Sequence, residues 1–162
     1  MSEARATLVK WMSITDANNA GRIHGGTVMK LCDEAAGLAA LRHARQPVVT
    51  AAVDRMTFRH PIEVGDVLTL SASVNAAWRT SMEVGVRVEA ERPFTGETRH
   101  TNSAYLTMVA IDDHGRPQPI PELATSSNTD RRREREAQLR RANRLAEREQ
   151  IKGHREREQG ET

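Results

Sequence analysis

Cysteine occurs once in the 162 residues, at Cys32, and aromatic side chains make up only 3% of the chain. A single thiol excludes an internal disulfide framework and any zinc site built on several cysteines, and it fits a reducing compartment. Long apolar runs are missing too. No stretch approaches the roughly 20 apolar residues of a membrane span, and the opening MSEARATLVKW lacks a run of signal-peptide length. The expectation is a cytoplasmic protein with no membrane partner. Net charge is small, at +2, and unevenly placed: residues 1–123 carry 13 basic and 14 acidic groups, whereas residues 124–162 carry 11 and 8. The pI of about 9.1 therefore describes the tail more than the body, and a nucleic-acid function cannot rest on it.

What is present falls into two parts. Residues 1–123 have the length and apolar content of one folded domain. From Ala124 the large aliphatic side chains dwindle to Leu139, Leu145 and Ile151, too few to bury a core, so residues 124–162 are expected to be a charged tail, partly helical or disordered. Within the body, a short apolar run over Ala6–Ile14 reads as a strand and is followed by the polar stretch TDANNAG. Residues 25–44 then carry Val28, Leu31, Cys32, Ala35, Ala36, Leu38, Ala39 and Leu41 at helical spacing. The broad, small-residue apolar face calls for a helix wrapped on most sides. It starts at Gly25-Gly26 and ends near Gln46-Pro47.

The period then changes to two. Strands are expected over Val48–Phe58, Asp66–Ala76, Ser81–Glu91 and Thr98–Ile111, joined by short turns. One long helix among strands in this order predicts an α+β fold with an antiparallel sheet curled around the helix.

The stretch Asn18–Glu34, NNAGRIHGGTVMKLCDE, carries the chemistry. Gly25 and Gly26 place backbone N–H groups at a helix start, where the dipole attracts a developing oxyanion. Asp33 lies seven residues after Gly26, about two turns on and on the same side. The Asn18 amide can orient a water or a carbonyl without titrating. Glu34 points about 100° away and is expected to pair at the surface. Cys32, a lone cysteine on an apolar face, reads as core rather than nucleophile.

These residues, with VVTAAVDRMTFRHPIEVGD, SMEVGVRVEAE, TNSAYLTMVAIDDHGRP and PIPEL in that order, resemble the acyl-CoA hydrolase family of hotdog-fold thioesterases, both the two-domain cytosolic enzymes of animals and their short bacterial relatives. The resemblance implies a hotdog fold over about residues 5–123 and hydrolysis of fatty acyl-CoA to free acid and CoA. It implies Asn18 and Asp33 as the catalytic pair, contributed by different hotdog units, so that this chain needs at least a homodimer and is expected as a hexamer, a trimer of dimers. His24 becomes a lining residue, and the turn Arg79-Thr80-Ser81 a contact for the CoA moiety. No metal or other cofactor is implied. Two alternatives remain: a non-enzymatic acyl-CoA sensor whose tail binds nucleic acid, and a thioesterase acting on aryl-CoA or acyl-carrier-protein esters.

Overall fold

The computed structural model describes residues 4–160. The chain divides into two compact units, Met1–Leu123 and Ala124–Thr162. In the first, strand β1 (Arg5–Trp11) leads through a short 3-10 turn (Ile14–Asp16) to helix α1 (Gly25–Ala44), followed by β2 (Val48–Val53), β3 (Val67–Ala77), β4 (Ser81–Arg92) and β5 (Glu97–Ala110). The five strands form one antiparallel sheet in the order β1-β3-β4-β5-β2. This is the hotdog arrangement, with α1 lying against the sheet.

Side-chain size explains how closely they pack. Cys32, Ala35, Ala36, Ala39 and Ala40 are fully buried on α1, facing Leu68, Leu70, Val84, Val86, Val88, Ala104 and Leu106 of the sheet. Small residues let the helix backbone approach the strands, and overfilling such a contact typically costs about 1–3 kcal/mol. None of the five aromatic residues is buried, so their scarcity removes nothing from this core.

The second expected strand is shorter than its composition suggests. β2 ends at Val53, after a bulge between Thr50 and Ala52. Beyond it the chain still runs beside β5, with Asp54 N–H donating to Tyr105 O and Arg59 N–H to Thr101 O, both at 2.9 Å. Those two bonds are too widely spaced to form a ladder.

The connection into β3 is clamped. Gly65, at φ +93°, makes the turn, and the buried Asp66 carboxylate then accepts from Glu63 N–H at 3.0 Å and faces Arg99 at 3.2 Å and Arg92 at 3.8 Å. The same connection receives Ile23 N–H on Ile62 O at 2.9 Å. Asp66 thus fixes the segment against which the approach to α1 is held.

In the second unit the charged segment forms one helix, α2 (Asn128–Gly160). Its start is a reciprocal cap: Asp130 N–H donates to Ser127 Oγ at 3.0 Å, and Ser127 N–H donates to the Asp130 carboxylate at 3.2 Å. Arg140, Arg144 and Arg148 stand at like-charge spacing without interrupting it, while Arg132–Glu136 and Lys152–Glu156 pair at i,i+4. No helix of the described residues is long and apolar enough to cross a membrane.

Candidate active site

Asp33 points away from the core on the exposed side of α1. Its Oδ1 accepts a hydrogen bond of 2.5 Å from Thr50 Oγ1 on β2. Met108 Sδ, across the β2–β5 pair, lies 3.4 Å from the same hydroxyl. One carboxylate oxygen is therefore tethered, and the other makes no hydrogen bond among the described residues. Glu34 is drawn off by Lys30 at 3.8 Å. The geometry leaves one oriented oxygen that accepts a proton or meets an electrophile.

Thr50 has no part in the sequence reading, where it counts only as a strand-forming residue. Alternation puts position 50 on the same side of β2 as the half-buried Val48, but Thr50 is itself exposed, so only the folded arrangement of β2 beside α1 shows what its hydroxyl meets.

The loop before α1 is built to present one amide. Ser13 N–H donates to the Asp16 carboxylate at 2.9 Å, and this backbone bond holds the Asp16 carboxyl below its ordinary value of 3.8. Asp16 O in turn accepts His24 N–H at 2.8 Å. Asn18 Oδ1 accepts from Ala20 N–H at 2.9 Å and from Arg22 N–H at 3.3 Å. With the oxygen engaged by its own loop, the Asn18 Nδ2 donor has a fixed direction and no partner among the described residues.

The glycine pair differs from the expectation of two unoccupied amides. His24 is the N-cap of α1, and its Nδ1 accepts from Gly26 N–H at 3.0 Å. A Cβ on Gly26 would stand 3.0 Å from that ring nitrogen, so a side chain there would press on the capping ring. Of the two amides, Gly25 N–H has no partner among the described residues and is open to an incoming oxygen. A Cβ on Gly25 would stand 3.6 Å from Phe58, an ordinary contact.

Distance also matters. Gly25 and Asp33 are eight residues apart, about 12 Å along the helix axis, so within one protomer they cannot both reach a single carbonyl carbon. Asn18 lies beyond Gly25, further still along the chain. The turn Arg79-Thr80-Ser81 sits at the other end of the sheet, where Ser81 pairs with Val109 and Met82 with Met108. This is the Thr50 end, since Thr50 also pairs with Met108. The Arg79 side chain is exposed, while the backbone carbonyls of Arg79 and Thr80 accept from Ile120 and Ala110. The fold therefore brings Asp33, Thr50 and the 79–81 turn to one region, and Asn18, His24 and Gly25 to another.

Cys32 adjoins Asp33 in sequence but faces the core. Burial raises its thiol pKa to about 12, with the Asn102 side chain pulling it down and Asp33 pushing it up. The thiol is thus protonated at neutral pH. Native protein should resist iodoacetamide at about pH 8 and take up one equivalent per chain only when denatured. Rapid labelling of the folded protein, followed by mass spectrometry, would show the thiol to be accessible.

One other pair, His100 and Ser103, resembles a base and nucleophile, with Nε2 2.9 Å from Oγ. The same Nε2 lies 3.1 Å from the Asn102 carbonyl oxygen, which can only accept. Nε2 therefore carries the proton and cannot take one from Ser103. No group of three His, Cys, Asp or Glu side chains able to hold a metal ion occurs among the described residues.

Residues 20–95 match the family described as the Thioesterase superfamily. The chain is 41% identical over 119 residues to Protein VdlD of Helicobacter pylori, covering 74% of this chain and 68% of that one. Its fold is similar to that of a hexameric acyl-CoA thioesterase, with a TM-score of 0.86, 38% identity and coverage of 90% and 93% of the two chains. It is equally similar to an acyl-CoA hydrolase from Staphylococcus aureus solved with butyryl-CoA, CoA and CoA disulfide, at a TM-score of 0.86, 33% identity and coverage of 96% and 95%. Three further structures of the S. aureus protein carry alanine in place of an asparagine, an aspartate and a threonine, at successive intervals of 15 and 17 residues. Asn18, Asp33 and Thr50 are separated by the same two intervals. By sequence and by fold, the chain belongs to the thioesterase superfamily, among its hotdog-fold acyl-CoA hydrolases.

Proposed function

We propose that this chain hydrolyses acyl-CoA thioesters to the free acid and CoA at a site shared by two subunits. The observation that carries the reading is the Asp33–Thr50 hydrogen bond, which orients a carboxylate and leaves its second oxygen open. In the proposed reaction that oxygen takes a proton from a water as the water attacks the thioester carbon. The carbonyl oxygen, gaining negative charge, is met by Gly25 N–H and the Asn18 amide of a second subunit; one such donor is typically worth about 3 kcal/mol. Collapse of the adduct expels CoA as its thiolate, which regains a proton. Arg79, Thr80 and Ser81, at the Thr50 end of the sheet, are assigned to the CoA moiety, with the guanidinium suited to phosphate.

Two features support a homodimer as the minimum unit. Gly25 and Asp33 of one protomer are too far apart to act on one carbon, and β2 is an edge strand with Val49 and Val53 exposed. An open apolar edge invites pairing, and a two-fold copy would bury it. The hexameric state of similar thioesterases supports a trimer of such dimers. A cytoplasmic location is part of the proposal, resting on the single buried thiol.

Release of CoA thiol from acetyl-, butyryl-, octanoyl- and decanoyl-CoA tests the reading. Release from an acyl-carrier-protein ester but from no CoA ester would move the substrate class, and no release from either would favour a binding protein. Thr50→Val, which keeps the shape but removes the hydroxyl, should lower kcat about 10- to 100-fold, the worth of one hydrogen bond to a charged group. Thr50→Ser should retain most of it.

A further inference from the structure

We infer that His24 is a third donor to the carbonyl oxygen in the proposed reaction, acting through its Nε2–H beside the open Gly25 amide. The inference deepens the proposed function and rests on its placing of that oxygen at the start of α1.

The proton on the ring is located by the cap. Gly26 N–H can only donate, so the Nδ1 that it meets at 3.0 Å offers a lone pair. A neutral imidazole has one proton, and here that proton is on Nε2. The same contact excludes His24 as a base: one ring nitrogen is used by the backbone, and the other already bears a hydrogen. His24 is exposed, and its Nε2–H makes no hydrogen bond among the described residues.

Three hydrogen bonds fix where the ring stands. Ile23 N–H donates to Ile62 O at 2.9 Å, His24 N–H donates to Asp16 O at 2.8 Å, and Nδ1 is held on Gly26. Gly25 N–H is the amide bonded to the His24 carbonyl carbon, so the ring and the open amide are donors on adjoining residues of one subunit. Asn18 adds Nδ2, its oxygen being turned back onto Ala20 and Arg22. The two side-chain acceptors, Asn18 Oδ1 and His24 Nδ1, are thus both taken within the loop and the helix start, and each leaves an N–H for an incoming group. Such a set suits an oxygen that gains negative charge.

Capping alone does not call for an imidazole. Ser, Asn and Asp are the favoured caps, and each reaches a backbone N–H with a shorter side chain. What histidine adds is a second nitrogen beyond the cap, carrying a hydrogen. As water attacks the thioester carbon and the carbonyl electrons move onto oxygen, Nε2–H donates to that oxygen and keeps its proton.

Full-length His24→Asn and His24→Gln enzymes separate the donor from the cap. The Asn side chain ends at the level of Nδ1 and can accept from Gly26 N–H, whereas the Gln side chain is one bond longer and carries its amide N–H at the level of Nε2. On the acyl-CoA that wild type hydrolyses fastest, His24→Asn should lower kcat about 100-fold, with KM within about threefold and Tm unchanged. His24→Gln should keep kcat within about fivefold, although the lost cap lowers Tm by about 4 °C. Near wild-type kcat in His24→Asn would overturn the inference by showing that the ring only caps the helix. A loss confined to KM, or equal losses of kcat in the two variants, would overturn it as well. A wild type that releases no CoA from any ester overturns the functional reading itself.

Discussion

Asp33→Asn lowers kcat for acyl-CoA hydrolysis by about a thousandfold while the protein stays folded, the loss expected when a general base is replaced by an isosteric amide. The side chain is on the exposed side of α1 and supports no core packing. The Thr50 hydroxyl still has the amide oxygen to donate to, so the β2 contact survives and Tm should barely move. What disappears is the second carboxylate oxygen as a proton acceptor. Glu34→Gln is the matched control. Glu34 is held by Lys30 at 3.8 Å and points elsewhere around the helix, so its loss should change kcat by no more than about twofold. Full activity in Asp33→Asn would remove the residue from the chemistry.

Asp66→Ala has the largest expected effect on stability. The carboxylate is 3% exposed and serves three partners, Glu63 N–H, Arg99 and Arg92. Removing a buried partner commonly costs 3–5 kcal/mol, because the remaining charge is stranded, but Arg99 is 22% and Arg92 40% exposed, so water relieves part of the penalty. A loss of about 2–3 kcal/mol remains, read as a fall in Tm of about 10 °C for a domain of this size. Activity should fall as well, since the segment held by Asp66 carries Ile62, which fixes Ile23 beside the start of α1. A denaturation curve matching wild type would show that the clamp is ornamental.

The helix at the centre of the fold was legible because its signals agreed: a glycine pair at one end, proline after the other, and small apolar residues at helical spacing between. β4 is equally plain, since Met82, Val84, Val86, Val88 and Ala90 fall at every second position and are buried against the core, although Glu83 between them is buried as well. β2 was overextended because β-branched composition reports extended backbone, not whether a neighbour lies in register; the bulge at Thr50/Ala52 depends on β5 and has no local mark.

At the site, an acid in an apolar helix stands out, and Asp33 is a candidate from sequence. Thr50 is not, because threonine is also an ordinary strand residue and its hydrogen bond to Asp33 appears only when β2 lies beside α1. The glycine amides were misjudged for a related reason. Histidine is an uncommon N-cap, and only the folded loop shows its ring turned back onto Gly26 N–H. The distance between the glycine end and Asp33 is in the numbering, and the proposed chemistry, which uses both ends on one thioester, therefore demands a second subunit.

That demand is tested most directly by mixing two inactive variants. Asn18→Ala and Asp33→Asn chains, co-expressed in equal amounts so that subunits assemble at random, each lack one half of every site they form alone. If the asparagine and the aspartate of a site come from different chains, about a quarter of the sites in the mixture regain both residues, and the mixed oligomer should show about a quarter of wild-type kcat. If both came from one chain, no site would be repaired, and a mixture as inactive as its two parents would contradict the shared site.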